Sequence, residues 1–398
     1  MKILVVSQYY YPEQFRINEL CEELVRRGHA VTVFTGLPNY PAGEIFAGYE
    51  NCFSQMHNGV RILRCKNRPR KQGAVNLALN YLSFIVTAGR AARKLAPDFD
   101  VIYVYQLSPV TSAIPALQFK KRTGLPLYLY CLDIWPESIR DLIPDTRSLI
   151  YRLMQAWCVR IYNGADVVGV TSLPFREYLH RECRVPLEKL TYLPQHGEDM
   201  MAMGELSTED NGCTDIVFMG NVGAAQNLEN VARAVAIMQT RCPFMIHIVG
   251  VGSGLESLKA CVRELGVEAH FCFHGRHPIT KMPDFYRLAD ACLLTLYADT
   301  AAGDTIPGKL QGYMSAGKPI LAAINGAAAQ VIRDAECGLC VEAGNPELLA
   351  RAMTEFVEHP ERFARCGENG RRYFEEHFSL EIVADQLEKS LKALCDGR

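Results

Sequence analysis

The chain has 398 residues, 42 basic against 44 acidic side chains for a formal net charge of −2, and is 49% hydrophobic. That length is too much for a single core and predicts two domains. The composition is that of an ordinary globular protein, and the balanced charge gives no global electrostatic case for nucleic-acid binding.

In chain order, "KILVVS" reads as a first β-strand, because its apolar run is short and no small-residue cleavage site follows, as a signal peptide would require. A helix over "INELCEELVRRG" and a strand over "HAVTVFTG" come next. A basic stretch with Arg61, Arg64, Lys66, Arg68, Arg70 and Lys71 then leads into "AVNLALNYLSFIVTAGRAARK". Its longest near-apolar segment, Ala74 to Ala88, falls short of the ~20 residues of a membrane-spanning helix, so a soluble or peripheral chain is expected. Asn76, Asn80, Ser83 and Thr87 form a narrow polar stripe on this otherwise apolar cylinder. Such a helix fits either a lipid interface, with basic region 61–94 on a membrane surface, or a domain core with a solvated edge. The first half continues with "DVIYVY", a helix near Pro109–Arg122, "LPLYLYCLDI", a helix from Thr146 to Asn163 and "ADVVGVTS". The polar, Gly-containing segment Leu193–Asp215 reads as a linker.

The second half restarts the grammar with "TDIVFMGNVG", a helix over Asn227–Gln239, "FMIHIVGVGSG", "HFCFHG", "ADACLLTL", "KPILAAI" and "GLCVEA". A final helix spans Leu380–Leu394. Apolar strands alternating with helices predict α/β domains with doubly wound parallel sheets, whose ligands bind beyond the carboxyl ends of the strands. The active site is therefore expected in the cleft between two such domains. Fifteen cysteines lack regular spacing, and the lone CxxC, Cys337–Cys340, has no second pair or nearby His. Reduced thiols in a cytosolic protein are the expectation, without a metal or disulfide framework.

Several segments carry chemistry. Gly220, Asn221, Val222 and Gly223 form a strand-to-helix loop that can approach a ligand closely, with a helix N-terminus facing an anion, although such a turn also occurs without a ligand. Gly250 lies in a second glycine cluster after the next strand. "FHGRHPITKMPDFYRLAD" places Arg276, Met282 and Tyr286 on a loop and helix suited to a base edge or phosphate, or on a plain basic turn. In "DTIPGKLQGYMSAGKPI", Thr305, Ile306, Pro307 and Gly308 precede a helix over Lys309–Ala316 closed by Gly317. Its free amides and Lys309 would bind a diphosphate, and no carboxylate lies inside the helix. In the first half, Glu13, Gln14, Phe15, Arg16 and Asn39 follow the first two strands. "CLDIWPES" offers Asp133, Trp135 and Glu137, either for sugar hydroxyls or as a buried Trp beside a capping Asp.

Over nearly its whole length the sequence resembles the family 4 glycosyltransferases of GT-B fold. It looks most like the bacterial branch that builds O-antigen and capsule repeat units, including N-acetyl-L-fucosamine transferases. The residues that carry this are "KILVVSQYYYPEQFRINELCEELVRRGHAVTVFTGLPNYP", "CLDIWPES", "FMGNVGAAQNL" and "DTIPGKLQGYMSAGKPI". The resemblance implies two Rossmann-like domains, residues 1–196 joined by a returning helix at 378–398, and residues 213–377. It implies retaining transfer from a UDP-sugar to an undecaprenyl-diphosphate-linked saccharide, with no required metal. The first domain would bind acceptor and the second donor.

Departures from the family pattern are specific. Where relatives carry two Glu residues eight positions apart, this chain has Asp304 and Gly312, so ribose recognition must pass elsewhere, for example to Gln311. Asp304 can still meet donor-sugar hydroxyls. The loop that often supplies Arg and Lys to the diphosphate reads "GNVGAAQN", with Gln226 near the usual Lys. Leu132 precedes Asp133 where many relatives have His. Lys309, Asp304 and Asp133 are thus the expected catalytic groups. A nucleotide-sugar 2-epimerase of the same fold and a non-catalytic nucleotide-sugar-binding subunit are the rival readings.

Overall fold

A computed structural model describes residues 1–397 apart from 141, 142, 144, 209, 210 and 298–304. It divides into two compact units, Met1–Pro194 with Val383–Arg398, and Gln195–Ile382. The segment 195–212 thus belongs to the second unit, where Lys318 Nζ donates to Thr208 Oγ1 (2.6 Å) and Thr208 Oγ1 to the Ala289 carbonyl (2.9 Å).

The first unit contains β1 (Lys2–Val6), α1 (Ile17–Arg26), β2 (Ala30–Gly36), β3 (Ser54–His57), β4 (Val60–Cys65), α2 (Ala74–Ala92), β5 (Val101–Gln106) and α3 (Ile114–Thr123). It continues with β6 (Leu127–Cys131), α4 (Leu149–Asn163), β7 (Val167–Val170), α5 (Leu173–Arg181) and β8 (Leu190–Tyr192). Among the described residues these strands form one sheet in the order β3-β4-β2-β1-β5-β6-β7-β8, parallel except for the edge pair β3–β4. Central strands β5 and β6 are buried at every position, which is why "VIYVYQ" and "LYLYC" do not alternate: helices cover both faces. One face carries α2 to α5, through Phe84, Phe119, Tyr162 and Leu179.

Helix α2 turns its polar stripe inward, the reverse of a core helix with a polar solvated edge. Asn80 is fully buried, accepts from Gln8 Nε2 (2.8 Å) and donates to the Arg68 carbonyl. Ser83 Oγ accepts from the Arg68 amide at 2.8 Å, and Thr87 faces Cys65. Val75, Leu82 and Val86 are left exposed instead. The polar groups pair with the chain running out of β4, so the satisfied side is the inner one.

The second unit contains β9 (Thr214–Met219), α6 (Glu229–Ile237), β10 (Phe244–Val249), α7 (Leu255–Glu264), β11 (Phe271–Gly275), α8 (Met282–Leu288) and β12 (Ala291–Thr295). Then come α9 (Gly308–Ser315), β13 (Ile320–Ala323), α10 (Gly326–Asp334), β14 (Gly338–Val341), α11 (Pro346–Glu358) and α12 (Cys366–His377). Its sheet is wholly parallel, ordered β11-β10-β9-β12-β13-β14. The order reverses direction at β9 and β12, the switch point beyond whose carboxyl ends such sheets bind ligands. Helix α13 (Leu380–Asp396) packs from Val383 onward with the first unit. All fifteen cysteines are free thiols, Cys337 and Cys340 included.

Candidate active site

The second unit gathers most of the residues expected to hold a nucleotide. Gly220 follows β9 with φ +133, and a Cβ there would meet Lys309 Cε at 2.6 Å. Gly250 follows β10 with φ +148, and a Cβ there would lie 1.8 Å from the Gly220 carbonyl oxygen. Only glycine fits either place, so the two loops lie against each other. The Gly220 amide donates to the Val249 carbonyl (2.9 Å) and the Val222 amide to the Val251 carbonyl (3.0 Å). Gly220, Asn221, Gly250, Arg276, His277 and Met282 line a cavity of about 410 Å³.

Lys309 enters the same region from α9. Its Nζ donates to Gln226 Oε1 and lies 4.0 Å from the centre of the Phe218 ring. Among the described residues it forms no ion pair, and burial pushes its ammonium down to about 7. Helix α9 has Pro307 at its N-cap, no capping side chain and no acid in its first turn. Gly317, φ +66, ends it as expected. An uncapped helix start beside a lysine with no carboxylate partner among the described residues can hold an anion by dipole and by charge.

Several expectations need correction. Val222 is buried and its amide and carbonyl are both taken, by Val251 and Gly254, so it holds the loop and offers nothing to a ligand. The helix after Gly223 does not start at the loop: a 3₁₀ turn, Ala224–Gln226, and the left-handed Asn227 intervene, and α6 begins with Glu229. Glu229 in its first turn already sets a negative charge at that positive helix end. Tyr286 lies in the apolar core, its hydroxyl 3.1 Å from where a Gly312 Cβ would be, filling space a larger residue would need. Gln311 is buried and donates to the Gln195 carbonyl, so its amide group already holds the 195–197 segment instead of facing a ribose. Thr305, Ile306 and Pro307 are half-buried and Gly308 exposed at the mouth of α9. Asp304 lies outside the described residues.

In the first unit, the loops after β1 and β2 meet. Glu13 is buried, with Oε1 accepting from the Asn39 (2.8 Å) and Tyr40 (2.7 Å) amides and Oε2 from the Tyr10 amide (3.2 Å). Burial pushes its carboxyl up to about 7 against those amides. It joins the loops and does not face a ligand. Asn39, also buried, bonds the Leu37 carbonyl and the Arg70 amide. Gln14 is exposed, Arg16 half-buried, and Phe15 stacks on Tyr9 with ring centres 5.6 Å apart. Tyr40 completes this aromatic cluster and the Arg70 guanidinium lies over it at 5.3 Å. The run "QYYYPEQF" signalled the cluster, but which rings converge depends on β2.

Trp135 is buried, donating from Nε1 to Asp133 Oδ2 (3.0 Å) and Ser108 Oγ (3.0 Å); Ser138 Oγ bonds the other Asp133 oxygen. The buried-Trp reading holds, while Asp133 stays half-exposed with its orientation set. Glu137 turns to Arg140 (2.7 Å) and Tyr178 (3.4 Å), in a separate cavity of about 860 Å³ also lined by Arg152, Arg181 and Arg184.

Comparison with known proteins fits this frame. Residues 14–196 match the family described as "Glycosyl transferase 4-like domain", and residues 207–373 match "Glycosyl transferases group 1". A protein of Escherichia coli K12 named as a colanic acid biosynthesis glycosyl transferase, WcaI, is 25% identical over 340 residues, 80% of this chain and 82% of its own. The Pseudomonas aeruginosa glycosyltransferase WbjE is 25% identical over 315 residues, 74% of each chain. In fold, the chain superposes on Anabaena HepE in complex with UDP with a TM-score of 0.73, at 16% identity, covering 99% and 100% of the two chains. It superposes on WaaG, a glycosyltransferase involved in lipopolysaccharide biosynthesis, with a TM-score of 0.65 at 15% identity, covering 96% and 99%. At those identities the likeness speaks for fold alone. The two α/β units define the GT-B class. The chain belongs to the family 4 glycosyltransferases, and it is a glycosyltransferase.

Proposed function

We propose that the chain is a retaining transferase moving a sugar, an N-acetylated amino sugar or deoxy sugar, from UDP to a lipid-linked saccharide during bacterial surface-polysaccharide assembly at the cytoplasmic membrane face. The observation that carries this reading is Lys309, without a carboxylate partner among the described residues, at the uncapped start of α9 and set against the Gly220 and Gly250 loops. As the sugar–phosphate bond breaks, negative charge grows on the diphosphate, and the amides of α9 with Lys309 and Arg276 stabilise it. The acceptor hydroxyl attacks from the face the diphosphate leaves, and a departing phosphate oxygen takes its proton. No protein base and no metal enter this scheme, so the absence of a carboxylate inside α9 does not abolish transfer. Asp304 is assigned to the donor sugar from sequence, and the Tyr9, Phe15 and Tyr40 rings to the acceptor. The naming of WcaI for colanic acid synthesis and the UDP in HepE support the choice of pathway and nucleotide.

Incubation with UDP-, GDP- and dTDP-sugars plus a lipid-diphosphate saccharide tests it. Acceptor-dependent UDP release with retained anomeric configuration is expected. A new sugar nucleotide without acceptor would mean epimerisation, and binding without turnover a partner subunit.

No helix of the described residues is long and apolar enough to cross a membrane. Contact with lipid is instead assigned to the exposed faces of α2 and α4, which both pack on the 3₁₀ turn Val110–Ala113. Val75, Leu82 and Val86 on α2, and Leu149, Ile150, Leu153 and Trp157 on α4, are exposed, as are Arg90 on α2, Arg152 and Arg160 on α4, and Arg68 and Lys71 just before α2. Helices that expose both apolar side chains and cations suit an anionic lipid interface. A Leu82→Glu/Trp157→Glu variant is expected to stop pelleting with anionic vesicles while still folding; unchanged pelleting removes the membrane assignment.

A further inference from the structure

Strands β10 and β11 run parallel with His247 opposite Cys272, so both side chains leave the same face of the sheet. His274 follows at a register irregularity, where Ile248 pairs with Phe273 and Val249 with Gly275, and it turns its ring to His247. His247 Nδ1 lies 2.9 Å from His274 Nε2, and the two histidines and Cys272 each offer a ligand atom within 4.8 Å of the others. His247 is buried and its other nitrogen, Nε2, is 2.8 Å from Asp215 Oδ1 on β9. Asp215 is buried too, and its second oxygen accepts from Asn211 Nδ2 at 2.7 Å. A carboxylate only accepts, so His247 carries its proton on Nε2 and directs the Nδ1 lone pair at His274.

We propose that His247, His274 and Cys272 form a binding site for a divalent transition-metal ion of the zinc class, which clamps edge strand β11 to β10. Two imidazoles and a thiolate are the donor set that zinc prefers over magnesium or calcium. The ion takes the place of the proton that His274 Nε2 donates to His247 Nδ1, and that proton moves to His274 Nδ1, leaving a neutral imidazole ligand. Cys272 releases its thiol proton to solvent, and a water completes the tetrahedron. Bonds of about 2.0 Å to nitrogen and 2.3 Å to sulfur separate neighbouring ligands by roughly 3.3–3.6 Å. The nitrogens therefore open slightly and the sulfur closes in. The Asp215 carboxylate on the far nitrogen of His247 is the outer partner that ligating histidines generally have, fixing tautomer and ring orientation.

The site stands apart from the diphosphate residues yet is joined to them by short lengths of chain. His247 precedes Gly250 by three residues, and His274 precedes Arg276 by two. His277, which lines the 410 Å³ cavity, contacts the His274 carbonyl through Nε2 at 3.1 Å. An ion here pins the two strand ends from which those cavity residues leave, without touching the donor.

Full-length protein stripped with a chelator and dialysed against Zn²⁺ is expected to retain one equivalent and to melt at a higher temperature than the stripped protein. Loaded with Co²⁺, it should show a thiolate-to-cobalt charge-transfer band and the visible bands of a tetrahedral ion. Cys272→Ser should abolish the charge-transfer band, and His274→Ala should weaken binding at least ~10-fold. Both side chains lie at the sheet edge, so folding is checked by circular dichroism of the same samples. Sub-stoichiometric Zn²⁺ in the wild type, or a cobalt spectrum unchanged by both substitutions, overturns the proposal. The readout is metal content, so failure here leaves the transferase reading untouched.

Discussion

Lys309 is a cation held where its charge is unwelcome until a ligand brings the opposite sign. Burial lowers its pKa to about 7, and a bound diphosphate would raise it again. Below about pH 7 the lysine is charged in both free and bound protein, so affinity for a nucleotide sugar is flat there. Above it, binding must take up a proton and weakens as pH rises. Calorimetry from about pH 6 to about pH 9 is expected to show this loss in the wild type and not in Lys309→Gln; a flat wild-type profile would count against the assignment. Lys309→Ala should lower kcat by about 10²–10³-fold, the cost of removing one preorganised charge partner. Glu13 has the opposite sign. Its folded pKa is raised from 4.5 to about 7, so the folded state binds the extra proton and stability falls as pH rises between those values. Thermal melts of wild type against Glu13→Gln should converge or cross through that window.

At the level of elements, the loops after β9 and β10 depend on two backbone positions that admit no side chain. Gly250→Ala drives a methyl into the Gly220 carbonyl at positive φ, and is expected to lower the melting temperature and abolish nucleotide binding together. In α2, Asn80 pairs with Gln8, 72 residues away. Asn80→Leu removes the partner of the Arg68 carbonyl and leaves Gln8 Nε2 only its long contact to the Tyr9 hydroxyl, at a cost of about 1–3 kcal/mol that urea denaturation can read. The stripe Asn76, Asn80, Ser83 and Thr87 was visible as a period, but a period does not say which side faces inward. The basic chain running out of β4 decided it, by presenting main-chain groups at Arg68.

At the scale of the whole molecule, the last helix completes the unit that holds the chain's beginning. Val383, Ala384, Leu387 and Leu391 of α13 are fully buried, and Arg27 binds Glu23, Asp385 and Glu388 at the end of α1. Glu388, paired with Lys392, His29 and Arg27, is held down to about 2, so its contribution is complete above the ordinary carboxylate range and fades as pH falls toward that value. Ending the chain at Ile382 is expected to remove the first unit's cooperative melting transition while leaving the second unit's, as followed by hydrogen exchange; two intact transitions would refute this dependence. The sequence by itself determined the two α/β halves, the glycine turns after β9 and β10, the α9 helix with its Gly317 end, and the place of Lys309 in that helix's first turn. Those rest on local period, backbone freedom and charge, all written within a dozen residues. Only the tertiary structure decided that Glu13, Val222 and Gln311 are already engaged, that Tyr9 and Tyr40 converge on Phe15, and that His247, Cys272 and His274 meet. Each of those facts depends on what a distant segment brings alongside, and a one-dimensional pattern carries no record of its neighbours in space.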